Sequence, residues 1–324
     1  MSDRSNFGAT TTADEVLEGI DLSGKLVVIT GGASGLGQET ARAMATKGAH
    51  IVIPVRDMAK GEAAVAAIKT SVPDADIELM ECELGKMASI QFFAEAFLVQ
   101  HDQIDLLINN AGVMACPHTT TSDGLEMQFG TNHIGHFLLT NLLIPALVKT
   151  AKTGGDARII NLSSRGHHFD TVHFDDPHFE TRDYDKWLAY GQAKTANIMF
   201  TVGLEKRLAD KGVHALSVHP GGIRTNLGRH LTEDDIALLL KRMDENADEG
   251  FTFKTVEAGA ATSCYAATAP ELEGKGGVYL EDCHIADVDD EDPNGSVRSY
   301  AVDPGNAEKL WTLSEATVGQ TFSY

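Results

Sequence analysis

The chain has no Cys-x-x-Cys pair. Its four cysteines, Cys82, Cys116, Cys264 and Cys283, stand far apart in 324 residues. That pattern fits neither a zinc site nor a disulfide framework and suits a reducing compartment. Positive charge is scarce. Against 47 acidic residues there are 26 Lys and Arg, a formal net charge of -21. This argues against the basic footprint that nucleic acid or an anionic membrane surface requires. The stretch Met1 to Gly19 is polar, with no apolar run of signal-peptide or membrane-spanning length. These absences lead to the expectation of a soluble, cytoplasmic protein with no membrane span. No linker and no internal repeat is evident.

What is present is a core. Hydrophobic residues make up 43% of the chain, enough for one large domain. Residues 1–20 read as an extension, with Thr11 or Thr12 capping a short helix over Ala13–Gly19. Lys25–Ile29 is a continuous apolar run, the mark of a strand buried on both faces. Further strands read at His50–Val55, Ile77–Glu81, Ile104–Ile108, Arg158–Leu162, Val213–Val218 and Gly276–Leu280, with helical stretches between them. The alternation predicts one doubly wound α/β domain over residues 21–324, with about seven parallel strands. A lid is expected over about 226–253 and a C-terminal extension over about 281–324, the latter with an acidic solvated loop at Glu281–Asp292 and a docked helix at Ala307–Val318.

Between the first strand and a helix over Gln38–Lys47 lies Thr30-Gly31-Gly32-Ala33-Ser34-Gly35-Leu36-Gly37. A glycine-rich turn in this context is a pyrophosphate site, because glycines let the backbone approach and the helix N-terminus presents free N–H groups. The second strand ends without an acid, and Arg56 follows it. An acid there would bind the 2′-hydroxyl of NAD, whereas an arginine accommodates the 2′-phosphate of NADP. NADP is therefore preferred, with NAD as the alternative, although Arg56 also reads as a solvated loop residue beside a helix-capping Asp57. Small and amide residues, Asn110-Ala111-Gly112, close the fourth strand. A helix over about Ser122–Thr150 contains Asn132 and Gly135, both poor helix formers, which points to close packing or a site. The segment from Arg165 to Trp187 is rich in His and Asp, but its irregular spacing does not make a metal site; a loop at the rim of the site is the preferred reading. No metal is expected. Tyr190 and Lys194 stand four apart on a helix and share a face. An ammonium beside a phenol favours the phenolate.

Taken in order, these motifs resemble the short-chain dehydrogenase/reductase family, a Rossmann-type fold, over about residues 12–315. The matching stretches are Thr30-Gly31-x-x-x-Gly35-x-Gly37, Asn109-Asn110-Ala111-Gly112, Asn132-His133-x-Gly135-His136-Phe137, Ser163-Ser164, Tyr190-x-x-x-Lys194 and Pro220-Gly221-x-x-x-Thr225. Within that family it resembles the retinol-dehydrogenase-like and WW-domain-oxidoreductase-like branch, on Asn132–Phe137, the 26-residue step from Ser164 to Tyr190, and Gly277-x-Tyr279-x-x-Asp282-Cys283. It departs from the family at Glu83, where an Asp is usual near the adenine, and at Pro54-Val55 before Arg56.

The resemblance implies hydride transfer between a nicotinamide cofactor and an apolar alcohol or carbonyl compound. Tyr190 would be the general acid/base. Lys194 would lower its pKa together with the oxidised nicotinamide, and would also bind the nicotinamide ribose. Ser164, the second of its pair, would hold the substrate oxygen. Asn132 would kink its helix and hold a water linked to Lys194. The cofactor would contact Gly31, Ser34, Gly35, Leu36, Gly37, Arg56, Glu83, Leu84, Asn110, Ala111, Gly112, Tyr190, Lys194, Pro220, Gly221, Ile223 and Thr225. Relatives pair through the helices carrying Asn132 and Tyr190, which implies a homodimer or homotetramer. Two other readings share this fold: a non-catalytic NADP-binding sensor or interaction protein, and a reductase of a C=C bond.

Overall fold

A computed structural model describes residues 6–237, 239 and 252–324. One eight-stranded sheet runs through it, in the order β3-β2-β1-β4-β5-β6-β7-β8. The strands are β1 (Leu26–Ile29), β2 (His50–Val55), β3 (Asp76–Glu81), β4 (Leu106–Asn109), β5 (Ala157–Leu162), β6 (Val213–His219), β7 (Val278–Glu281) and β8 (His284–Ile285). The first seven pair in parallel. The two-residue β8 is antiparallel to β7 and exceeds the expected seven. It arises because Asp282 and Cys283 adopt positive φ (47° and 61°) and fold the chain back on itself.

Strand residues alternate between two apolar layers. Val27, Ile29, Ile51 and Ile53 face the helices Ala13–Val16, Gly35–Thr46 and Val256–Thr268. Val28, Val52, Leu107 and Ile159 face Met87–Gln100, Gly135–Lys152 and Lys186–Leu208. Both faces are covered, which is why the central strands read as unbroken apolar runs rather than as alternating ones. Strand order reverses between β1 and β4, β2 and β3 lying on one side and β5 to β7 on the other, so a crevice opens at their carboxyl ends. The glycine-rich turn, Arg56, Asn110 and Ser164 all follow strand ends on that edge.

Three expectations needed revision. The helix expected over Ser122–Thr150 starts at Met127, capped by the buried Glu126 carboxylate, which accepts from Gln128 N (2.9 Å) and Phe129 N (2.6 Å). It then widens into a π-helical turn, Gly130–Ile134, before continuing as Gly135–Lys152. The acidic stretch Glu281–Asp292 is not simply a solvated loop. Glu281 accepts from Ser296 N (2.7 Å), Asp290 from Ser299 N (2.8 Å), and Asp282 pairs with Lys254. The C-terminal helix begins at Pro304 rather than Ala307, because Asp303 caps it and proline suits its first turn.

That C-terminal helix also bears on assembly. Trp311 packs on Phe137 (5.1 Å between rings) and Phe200 (5.9 Å), and Ser314 bonds His133 (2.7 Å). The helices carrying Asn132 and Tyr190 thus give one shared face to the chain's own residues, and pairing through that face would compete with Trp311. Met127–Lys152 is long and apolar enough to cross a membrane by composition, but 72% of its apolar window is buried in the fold. The expected lid over 226–253 lies partly outside the described residues, at 238 and 240–251. Its described start is anchored: Asp235 closes a capping box with Thr232 and pairs with Lys186 (2.6 Å), one turn before Tyr190.

Gly135 joins the π turn to the loop after β3. A Cβ there would lie 2.4 Å from the Leu84 carbonyl oxygen, a backbone atom that cannot step aside. Gly135→Ala is expected to cost about 1–3 kcal/mol, read as a lower urea midpoint at unchanged m-value.

Candidate active site

The glycine-rich turn is shaped by contact with the loop after β4. Gly31 and Gly35 take φ of +68° and +54°, open to glycine without strain. A Cβ on Gly37 would meet both Gly31 O and Asn110 Nδ2 at 2.4 Å. Asn110 donates its amide to Thr30 O (2.8 Å), so the two motifs lock together. Ser34 caps the twelve-residue helix Gly35–Thr46 without a side-chain hydrogen bond of its own. Free N–H groups, a hydroxyl with no capping bond and no room for side chains fit a pyrophosphate.

The Thr30 hydroxyl joins three motifs. It accepts from Asn110 N (2.9 Å) and Ala111 N (3.0 Å) and lies 2.9 Å from His136 Nε2. His136 Nδ1 faces the Asn132 carbonyl at 2.9 Å. A carbonyl only accepts, so Nδ1 carries the hydrogen and Nε2 accepts from Thr30. Burial holds the ring neutral, with its pKa pushed down to about 4. Asn132 is fully buried, and its amide clamps Val113, accepting from N (2.8 Å) and donating to O (2.9 Å). Its side chain is thus spent on backbone; holding a water would fall to its carbonyl, beside His136.

Tyr190 and Lys194 sit on the helix Lys186–Leu208, each 4% exposed. The phenol ring needs Gly166, since a Cβ there would come within 2.7 Å of Tyr190 Cε1. Ser163 and Ser164 part ways. Ser163 Oγ donates to Lys194 O (2.8 Å), tying β5 to the helix. Ser164 Oγ accepts from Gly166 N (3.0 Å) and faces the phenol. Lys194 Nζ donates to Leu162 O (3.0 Å) and stands 5.7 Å from the Tyr190 ring centre.

Burial sets the electrostatics of the chain alone. Burial pushes Tyr190 up to about 12, and the Ser164 hydroxyl only partly opposes it. In the chain alone burial outweighs any effect of Lys194 on the phenol. Its own charge is penalised by burial, its pKa falls to about 8, and its hydrogen bond goes to a strand carbonyl.

The remaining candidates divide by position. Thr225 packs beside Gly35: its Cβ would stand 3.3 Å from a Cβ built there. Leu36 and Ile223 close on Gly259, where a Cβ would lie 2.7 Å from each. Gly112 borders Asn132, and Leu84 borders Gly135. Glu83 donates its N–H to Ser89 (2.9 Å), after β3. Arg56 is exposed, and among the described residues its guanidinium has no hydrogen bond or ion pair, while Asp57 caps the next helix through Lys60 N (3.2 Å). Gly221, φ +99°, turns away beside Lys254 after Pro220. A cavity of about 370 Å³ opens there, lined by Arg165, His219, Gly221, Lys254 and Glu281 but not by Tyr190 or Ser164. The rim histidines are engaged internally: His167 Nδ1 with Ser164 O (2.8 Å), His173 with Asp170 (2.9 Å), His178 with Glu126 N (3.3 Å). Thr30 and His136 lie within the sequence motifs, but nothing local marks the hydrogen bond between them. Gly166 and Lys254 carried no local signal.

The family model described as short chain dehydrogenase matches residues 25–236. The chain is 40% identical over 315 residues to short-chain dehydrogenase/reductase prx1 of Penicillium roqueforti, covering 94% of this chain and 89% of the relative. It is 40% identical over 300 residues to retinol dehydrogenase 12 of Homo sapiens, covering 93% and 88%. The crystal structure of an uncharacterised protein from Mycobacterium paratuberculosis superposes with a TM-score of 0.73 at 33% identity, covering 97% of this chain and all of that one.

In the unfolded chain Lys194 titrates near 10.5; in the fold it does so near 8. Between these values the unfolded state holds more protons, so stability rises with pH. The Lys194 contribution is complete above the unfolded value and lost as pH falls through about 8. Wild type minus Lys194→Met is therefore expected to gain stability from pH 8 toward 10, at up to about 1.4 kcal/mol per pH unit. Urea titrations of both proteins across that window measure it, and a flat difference would remove the buried-ammonium assignment.

Proposed function

The chain belongs to the short-chain dehydrogenase family and is a nicotinamide-dependent oxidoreductase; from that premise we propose that it interconverts an alcohol and a carbonyl group on an apolar substrate, with NADP as cofactor and Tyr190 as general acid/base. The observation that carries this reading is the buried Tyr190 beside Ser164 and Lys194, on the carboxyl edge that also holds the glycine cradle. The apolar substrate class is supported by likeness to a retinol dehydrogenase.

When bound, the nicotinamide dinucleotide supplies or accepts the hydride. The chain's own residues handle the proton. In carbonyl reduction Tyr190 Oη donates a proton to the substrate oxygen; in alcohol oxidation it takes one. Ser164 Oγ hydrogen-bonds that oxygen and fixes its distance from the phenol. A phenol held near 12 is a reluctant base, so proton removal calls for additional positive charge close by. Lys194 supplies part of it, from N–H groups that the Leu162 carbonyl leaves over. The π turn holds Asn132 rigidly beneath the loop Asn110–Val113, and Thr30 sets that loop against the cofactor cradle. Arg56, exposed and unpaired at the end of β2, is the reader of the NADP 2′-phosphate.

Tyr190→Phe removes one oxygen and leaves packing intact. Turnover is expected to fall by about 10²–10⁴-fold, while NADPH binding, followed by nicotinamide fluorescence, stays within a factor of two (~2) because only the proton donor is lost. Retained turnover would remove Tyr190 from the acid/base role.

Arg56→Ala is expected to raise KM for NADPH by about 10- to 100-fold, the worth of a charge-assisted phosphate contact. KM for NADH should hardly move. Steady-state kinetics with both cofactors decide it, and equal effects would show that Arg56 does not read the phosphate.

A further inference from the structure

A second group of chemically capable side chains lies at the opposite edge of the sheet. His50 opens β2, Glu78 is the third residue of β3, and His101 follows the helix Met87–Gln100. Their ligand-type atoms all lie within 4.8 Å of one another. Glu78 Oε2 is 2.9 Å from His101 Nε2 and 3.6 Å from His50 Nε2. Tetrahedral ligands about a zinc ion stand about 3.3 Å apart, given bonds of about 2.0–2.1 Å, and these two separations bracket that value.

The state of His50 is the stronger argument. Its Nδ1 lies 2.7 Å from the Asp76 carboxylate, the residue paired with it in the strand register. A carboxylate accepts, so Nδ1 carries the hydrogen. Nε2 of the neutral ring is then a bare lone pair. It is buried, makes no hydrogen bond, and faces a carboxylate oxygen. Glu78 Oε2 accepts from His101 Nε2 (2.9 Å), while the His50 lone pair has no donor; a cation among the three groups would satisfy that lone pair and displace the His101 hydrogen to Nδ1. A carboxylate that orients one ring nitrogen while the other is left free is also the outer-shell pattern of metal-binding histidines. His101 is steadied from behind by Phe97, 4.9 Å between rings.

We propose that His50, Glu78 and His101 form a binding site for a divalent metal of zinc type, with Asp76 orienting His50 and water completing the shell. Two imidazoles and a carboxylate suit Zn²⁺ and are a poor set for Mg²⁺ or Ca²⁺, which prefer oxygen. Neutral imidazoles and two carboxylates balance the ion's double charge. The site joins β2, the outer strand β3 and the helix Met87–Gln100 at the amino ends of the strands, away from Tyr190. Its role is structural.

The test is calorimetric titration of the full chain, stripped with chelator, with Zn²⁺ alone. One ion per chain is expected, with affinity reduced at least ~100-fold in His101→Ala and Glu78→Gln, where a direct ligand is lost, and by about 10- to 100-fold in Asp76→Asn. NADPH-dependent turnover of the variants should be unchanged. Should a variant fail to fold, histidine-ring NMR of the wild type gives the same decision. Zn²⁺ is expected to shift the ring signals of His50 and His101. No binding, equal binding by a His50→Ala/His101→Ala protein, or shifts confined to other histidines would overturn the proposal.

Discussion

The hydroxyl of Thr30 uses its whole hydrogen-bonding capacity in one buried place. It accepts two backbone N–H groups from Asn110 and Ala111 and donates to His136, which holds the Asn132 carbonyl. The partners come from two other stretches of chain, the loop after β4 and the helix of His136, and each would be costly to leave unpaired away from water. The cradle after β1, the loop after β4 and the π turn are therefore fixed relative to one another before any ligand arrives. The close glycine contacts follow from the same arrangement. Gly37 has no room for a Cβ because Asn110 reaches across it to Thr30, and Gly112 runs against Asn132.

A second buried assembly is set against the first. The Leu162 carbonyl at the end of β5 receives both Lys194 Nζ (3.0 Å) and Asn197 Nδ2 (2.9 Å), and Ser163 donates to the Lys194 carbonyl. Strand and helix cannot slide, so Ser164 and Tyr190 face each other across a fixed gap. The cost of this rigidity is desolvation. Phenol and ammonium are both pushed toward their neutral forms, and a neutral, buried phenol is suited to giving up a proton only when charge is brought to it. Preorganised groups in a low-dielectric site make that added charge count for more than it would in water.

Much of this was legible in the sequence because the signals are local. A strand buried on both faces leaves an apolar run, a phosphate cradle leaves glycines at fixed spacing, and a helical pair leaves its residues four apart. Strand positions from Leu26 to Glu281 were readable for that reason. So was the separation of Ser164 from Ser163, though only by resemblance; the physical reason, that Ser163 is consumed by the Lys194 carbonyl, needs the folded chain. The π turn was missed because Asn132 and Gly135 signal only a weakened helix, while its cause is the approach of Leu84 from a distant loop.

The element order, the glycine-rich turn and the four-residue step from Tyr190 to Lys194 are legible along the chain, since each depends on neighbours within a few residues. Folding set whatever depends on residues far apart in the chain. It set the direction of the Tyr190 shift, because burial is a property of the whole fold. It closed one face of the helices carrying Asn132 and Tyr190 with Trp311, and it gave the acidic loop its partners. It also brought His50, Glu78 and His101 within 4.8 Å, across a sequence span in which no spacing rule connects them.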